Sequence, residues 1–133
     1  MEANVVRQEP APLTRHLRVR EHGGRTVLEL RGEIDILSAQ EIHPHMDAVT
    51  GRPEPDVVVD LTPVEFFDCA GLRLLYRARR RILDRGGELR LVCSDRLVLR
   101  ILRITGLAEL LPPAPSLDAA LDAPGPRAAT GAS

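Results

Sequence analysis

The 133-residue chain has no tryptophan and no lysine, one tyrosine and two phenylalanines. With aromatics at 2%, its core has to be built from Leu, Val, Ile and Ala, and an aromatic platform for stacking nucleic-acid bases has almost nothing to be made from. No apolar run approaches the ~20 residues that span a bilayer, and no hydrophobic stretch follows the charged start of the chain. Neither a membrane span nor a secretory signal is therefore expected, and the expected location is the cytoplasm. All 18 basic residues are Arg against 19 acidic ones, a net charge of -1. That balance supplies no general attraction to nucleic acid, and Arg without Lys, alongside abundant Ala, Pro and Gly, fits a GC-rich genome. Gly-x-x-x-x-Gly-Lys and Gly-x-Gly-x-x-Gly are both missing, so no nucleotide cofactor is expected. The two cysteines, Cys69 and Cys93, fit no zinc or Cys-x-x-Cys spacing and should be free thiols in a reducing compartment.

What is present is enough apolar content, 44%, for one domain with one core. Residues 1–14 mix charge with Pro10 and Pro12 and predict a mobile arm. Residues 123–133 predict a disordered tail, which leaves a folded part of 15–122. Leu17, Val19 and Glu21 alternate before Gly23-Gly24, and Val27, Leu28 and Leu30 follow, which predicts a hairpin. Gly32-Glu33-Ile34-Asp35 leaves the second strand. Ser38 is a candidate cap for a helix from Ala39, with Pro44 as a kink or as the true start, and Gly51-Arg52-Pro53 as its end. Val57 to Leu61 has the unbroken apolar character of a strand buried on both faces. A helix from about Ala70 to Asp84 follows, with Leu72, Leu75, Tyr76, Ile82 and Leu83 as its apolar stripe, Arg79 interrupting it and Gly86 as C-cap. Glu88–Cys93 is a strand, Ser94-Asp95 caps a helix to about Thr105, Leu107–Leu111 is a last short strand, and Ser116 caps a helix to Leu121. Strands joined by a helix should be parallel, so the fold class expected is α/β: a mixed sheet of four to five strands with helices mainly on one face.

The chemistry concentrates where strand 57–61 hands over to a helix, at Phe67-Asp68-Cys69-Ala70-Gly71-Leu72. Asp68 is a good N-cap, and Gly71 would let the backbone approach whatever binds there. Binding surfaces of open α/β folds commonly lie at that edge of the sheet. A thiol at a helix N-terminus invites catalysis, but its partners are missing. A cysteine phosphatase needs an Arg six residues on, where Leu75 stands. A thioredoxin-like site needs a second Cys at position 72, which is Leu. His16, His22, His43 and His45 are placed by no motif, and His43-Pro44-His45 reads as a surface loop rather than a metal site. Arg77, Arg79, Arg80, Arg81 and Arg85 read as a solvated helix face or a partner-protein surface before a nucleic-acid patch.

Asp60-Leu61 followed by Phe67-Asp68-Cys69-Ala70-Gly71-Leu72 resembles the signature of STAS domains, the anti-sigma factor antagonists of bacteria. Gly32-Glu33-Ile34-Asp35, Gly86-Gly87-Glu88-Leu89-Arg90-Leu91-Val92 and Ile104-Thr105-Gly106-Leu107 resemble further segments of that family in register, and the likeness covers about 15–122.

The resemblance implies a binding protein, not an enzyme, with no cofactor. Its partner would be an anti-sigma factor that doubles as a serine kinase, and a sigma factor would be freed when the two bind. Asp68, Cys69, Ala70, Gly71, Leu72, Arg73 and Arg77 are the expected partner-binding residues, with Arg80 flanking them. In the family this turn carries a phosphorylated Ser, and here Cys69 stands at that switch position. Three expectations follow: an antagonist that cannot be switched off by phosphate, a redox-regulated one pairing Cys69 with Cys93, or a scaffold subunit that has lost switching. Thr62 and Ser94 match the phosphosite motif at neither position.

Overall fold

The computed structural model describes residues 12–122. Among these residues eight strands and five helices follow one another: β1 (Pro12–Thr14), β2 (Leu17–His22), β3 (Arg25–Leu30), β4 (Gly32–Ile34), α1 (Ile36–Thr50), β5 (Asp56–Asp60), β6 (Val64–Phe67), α2 (Cys69–Asp84), β7 (Glu88–Val92), α3 (Arg96–Ile104), α4 (Leu107–Leu110), β8 (Pro113–Ala114) and α5 (Leu117–Asp122). The sheet is mixed, in the order β1-β2-β3-β5-β7-β8. β2 and β3 pair antiparallel around Gly23-Gly24, where both residues take positive φ as a two-residue hairpin turn requires. β3, β5, β7 and β8 run parallel, with Val58 opposite Val27 and Arg90 at the centre. To the strands expected from sequence the structure adds β1 at the edge, so residues 12–14 belong to the sheet and not to a mobile arm. The expected mobility of 1–11 and 123–133 concerns residues outside those described.

Alternation along β5 sends Val57 and Val59 to one face and Val58 to the other. The first face holds the main core, with Leu28, Leu30, Leu89 and Leu91 meeting Ile42 and Met46 of α1, Leu75 and Ile82 of α2, Val98 and Leu102 of α3, and Leu107 of α4. The second face carries a small cluster of Val27, Val58 and Val92 under Ala120 of α5. Among the described residues, four helices on one side and one short helix on the other give the one-sided arrangement expected.

Several boundaries differ from expectation. α1 starts at Ile36, because Asp35 caps it: the Asp35 carboxylate accepts from the Ser38 amide at 3.0 Å, and the Ser38 hydroxyl takes the Asp35 amide at 2.8 Å. Ser38 is thus the third residue of the helix in a reciprocal capping box. Pro44 lies inside the helix on its exposed side, and the buried line Ile42, Met46, Val49 carries the helix through it. His43-Pro44-His45 is therefore helical rather than a loop. Leu107–Leu111 is helix α4 instead of a strand, and the last strand is β8. In α2 the buried line is Leu72, Leu74, Leu75, Ala78 and Ile82, whereas Tyr76 and Leu83 are exposed.

The segments after β3 and between β5 and α2 hold two further strands that the sequence does not predict. β6 pairs parallel with β4 in a separate two-stranded ribbon, Glu33 opposite Phe66 and Ile34 opposite Phe67. Gly32, at φ 75, turns the chain out of β3 into this ribbon, and its amide reaches the Pro63 carbonyl at 3.0 Å. Because β4 leads into α1 and β6 into α2, the ribbon sets the two helix N-termini beside each other. The Asp68 amide donates to the Ile34 carbonyl at 3.2 Å and fixes that junction.

Candidate functional site

Asp68 caps α2 as expected, its carboxylate accepting from the Ala70 amide at 2.8 Å and the Gly71 amide at 3.4 Å. The cap consumes two of the orphan donors of the first turn and leaves Cys69, the first helical residue, exposed with a free thiol. Gly71 plays a different part from the one expected. It is buried, and a Cβ built on it would lie 2.7–2.9 Å from three atoms of the Phe67 ring. The glycine lets α2 close over Phe67 rather than over a ligand. Leu72 is likewise a core residue.

The Arg residues of α2 divide in the same way. Arg77 makes two 2.9 Å hydrogen bonds to the carboxylate of Asp47 on α1. Arg81 donates to the Thr50 hydroxyl at 2.8 Å and the Asp47 carbonyl at 2.9 Å, and Arg85 to the Gly51 carbonyl at 3.3 Å. These three, one helical turn apart, clasp the C-terminal half of α1, whose last carbonyls attract cations. The Arg77 hydrogen bonds hold the Asp47 carboxyl below its ordinary range, helped by the charges of His43 and Arg81. What reads in sequence as a solvated cationic face is largely a helix–helix fastening. Arg73 alone of this ladder is exposed with no ion pair or hydrogen bond among the described residues.

Three exposed apolar residues that sequence reading passed over lie at this end. Phe66 is 51% exposed, while its neighbour Phe67 is 2% exposed. Ile36 and Leu37, at the start of α1, are 62% and 71% exposed. The signal for Phe66 was present, since adjacent residues of a strand face opposite ways and only one Phe can enter the core. Ile36 and Leu37 were hidden by the misplaced start of α1. With Cys69 and Ala70 they make up an exposed apolar rim at the end of the molecule where α1 and α2 begin.

Cys93 is not part of this surface. It is buried just past β7, its amide bonded to the Ala114 carbonyl at 3.0 Å, and burial pushes its thiol up to about 11. Both cysteines are free. Thr62 is held by Asp60, its hydroxyl donating to that carboxylate at 2.6 Å. Among the described residues no group of three or more His, Cys, Asp or Glu is placed to hold a metal ion, and no helix is long and apolar enough to cross a membrane.

Comparison with known proteins finds a match to the model of the STAS domain over residues 16–120. The chain is similar to the anti-sigma-F factor antagonist RsfA of Mycobacterium tuberculosis, 33% identical over 108 residues that cover 79% of this chain and 84% of that one. Among solved structures it resembles an anti-sigma factor antagonist from Mycobacterium paratuberculosis, with TM-score 0.74, 31% identity, and coverage of 85% of this chain and 96% of the other. A STAS domain protein from Planctomyces limnophilus shares the fold at TM-score 0.71 and 24% identity, covering 79% of this chain and 93% of its own.

Proposed function

The chain belongs to the STAS domain family, and we propose that it is an anti-sigma factor antagonist: it binds an anti-sigma factor of the serine-kinase type and so frees a sigma factor for transcription. The observation that carries this reading is the exposed apolar rim of Ile36, Leu37 and Phe66 at the end of the molecule that also exposes Cys69, where two capped helices start side by side. Large apolar side chains left in water at a rigid junction are what a protein partner covers. At the start of α2 the Ala70 and Gly71 amides, which could otherwise serve as oxyanion donors, are already taken by Asp68, which favours a binding role over a catalytic one for Cys69.

Cys69 replaces the serine on which such partners place phosphate. A phosphate there would bring roughly -1.5 to -2 charges against the Asp68 carboxylate and into an apolar interface, which is how the ordinary switch breaks the complex. A thiol does not take the phosphoryl group, so this antagonist stays competent in the presence of kinase and ATP, and its activity follows its abundance. Of the alternatives, thiol-based control would act first at Cys69, which is exposed whereas Cys93 is buried.

The test uses purified serine-kinase anti-sigma factors from the same genome, with the wild-type protein and Cys69→Ser. Both should bind one of these factors, and after incubation with ATP only Cys69→Ser should gain phosphate and dissociate. Failure of both proteins to bind would overturn the antagonist assignment. ATP-dependent release of the wild type would overturn the role given to Cys69.

A further inference from the structure

Beside Cys69 the surface is hollowed rather than flat. α1 and α2 leave between them an open groove of about 460 Å³, lined by Ile36, Ala39, Gln40, Ala70, Arg73 and Leu74. Its far end is closed by His43 and Arg77, both turned to Asp47, at 3.7 Å and 2.9 Å. The walls are mainly apolar, and the two alanines, one on each helix, create the space where larger residues would fill it. Ile36 belongs to both the groove and the exposed rim, and Ala70 adjoins Cys69, so the groove opens directly onto the docking surface.

Two features say what enters it. The apolar lining suits a large aliphatic or aromatic side chain, the kind that dominates protein–protein contacts, and the volume leaves room for its neighbours on the same segment. The charge is set by which Arg is engaged. Arg77 is committed to Asp47, so the cation offered at the groove is Arg73, one turn nearer Cys69 and without a partner among the described residues. An Arg at the lip of an apolar slot favours a carboxylate just beside the inserted side chain.

Resting on the antagonist assignment, we propose that the α1–α2 groove is the specificity pocket of this protein. It takes an apolar side chain of the anti-sigma factor, and Arg73 pairs with a carboxylate adjacent to that side chain. Arg77 is a positioning residue, since through Asp47 it holds the far wall and leaves Arg73 as the discriminating charge.

The test is surface plasmon resonance against the purified anti-sigma factor that binds the wild type. The variants are Ala39→Leu, which fills the groove, Arg73→Glu, which reverses its charge, and Arg73→Lys. Arg100→Glu on exposed α3 makes the same charge change elsewhere, and Phe66→Thr perturbs the rim outside the groove. Circular dichroism melts accompany each variant, and Arg73 is exposed, so its variants keep the fold even if Ala39→Leu does not. Ala39→Leu and Arg73→Glu should each weaken binding at least tenfold, while Arg73→Lys and Arg100→Glu stay within about threefold. If Phe66→Thr weakens binding but Ala39→Leu and Arg73→Glu remain within twofold, the groove proposal is overturned and the docking surface stands. If no serine-kinase anti-sigma factor binds the wild type, the antagonist assignment falls and the groove proposal with it; if one binds but Phe66→Thr, Ala39→Leu and Arg73→Glu all leave binding unchanged, the assignment stands and the docking surface and groove proposal fall.

Discussion

Phe66 and Phe67 are neighbours in sequence with opposite tasks, and exchanging each separates docking from folding. Phe67 is 2% exposed beneath Gly71 and the start of α2. Its truncation to Ala removes a whole buried ring and should cost about 3–5 kcal/mol of stability. Phe66 is 51% exposed. A Phe side chain buries 150–250 Å² when fully covered, so roughly 100 Å² of Phe66 remains for a partner to cover. At ~25 cal/mol per Å² that area is worth at most about 2.5 kcal/mol of binding, or up to about 70-fold in Kd. Ordering of the partner subtracts from this, which makes a tenfold to fiftyfold loss the expectation for Phe66→Thr. Thr retains β propensity, so the stability loss should stay near ~1 kcal/mol. Urea unfolding followed by circular dichroism reads the first quantity, and calorimetric titration with the anti-sigma factor reads the second. Finding Phe66→Thr more destabilising than Phe67→Ala would refute the assignment of these two side chains to opposite faces of the ribbon, and finding its affinity unchanged would refute the docking role of Phe66.

The fastening of α1 to α2 should have an acid limit. The folded-state pKa of Asp47 is lowered, so its contribution is complete above the unfolded value near 3.8 and is lost as pH falls below it; Asp47→Asn should flatten that limb of the stability curve. Cys93 works in the opposite direction: its folded pKa is raised to about 11, so stability is lost as pH rises from about 9 towards 11, and Cys93→Ala should remove that slope. Iodoacetamide at pH 8 should alkylate Cys69 in the native protein and Cys93 only in urea, as read by mass spectrometry. Gly87 lies where a Cβ would sit 2.0 Å from the Pro55 carbonyl oxygen, the acceptor of the Glu88 amide that opens the β5–β7 pairing. Gly87→Ala should therefore cost about 3 kcal/mol or more by urea unfolding, whereas Gly86→Ala, with open space but φ 70, should cost about 1 kcal/mol.

Much of the frame was legible because it depends on near neighbours. The Val57–Leu61 run, the Gly23-Gly24 hairpin, and the caps at Asp68 and Asp95 are local physics, and each stands where expected. The start of α1 was misread because Asp35 and Ser38 are both good caps, and their reciprocal hydrogen bonds decide that Asp35 is the cap. The β4–β6 ribbon is not legible in the sequence because its strands are three and four residues long and meet only each other, with all of α1 and β5 between them.

The sequence by itself determined the turn, its Asp cap and the thiol at the first position of α2, since an N-cap needs only its own next few amides. The tertiary structure alone decided which side chains around that thiol are available. Gly71 and Leu72 face the core because α2 lies on Phe67, and Arg77 is spent on Asp47 because α1 passes 30 residues away in sequence but within hydrogen-bonding reach. Phe66, Ile36, Leu37 and Arg73 are left outward by the same packing. Caps are set by adjacency along the chain, whereas exposure is set by what the rest of the fold has already covered.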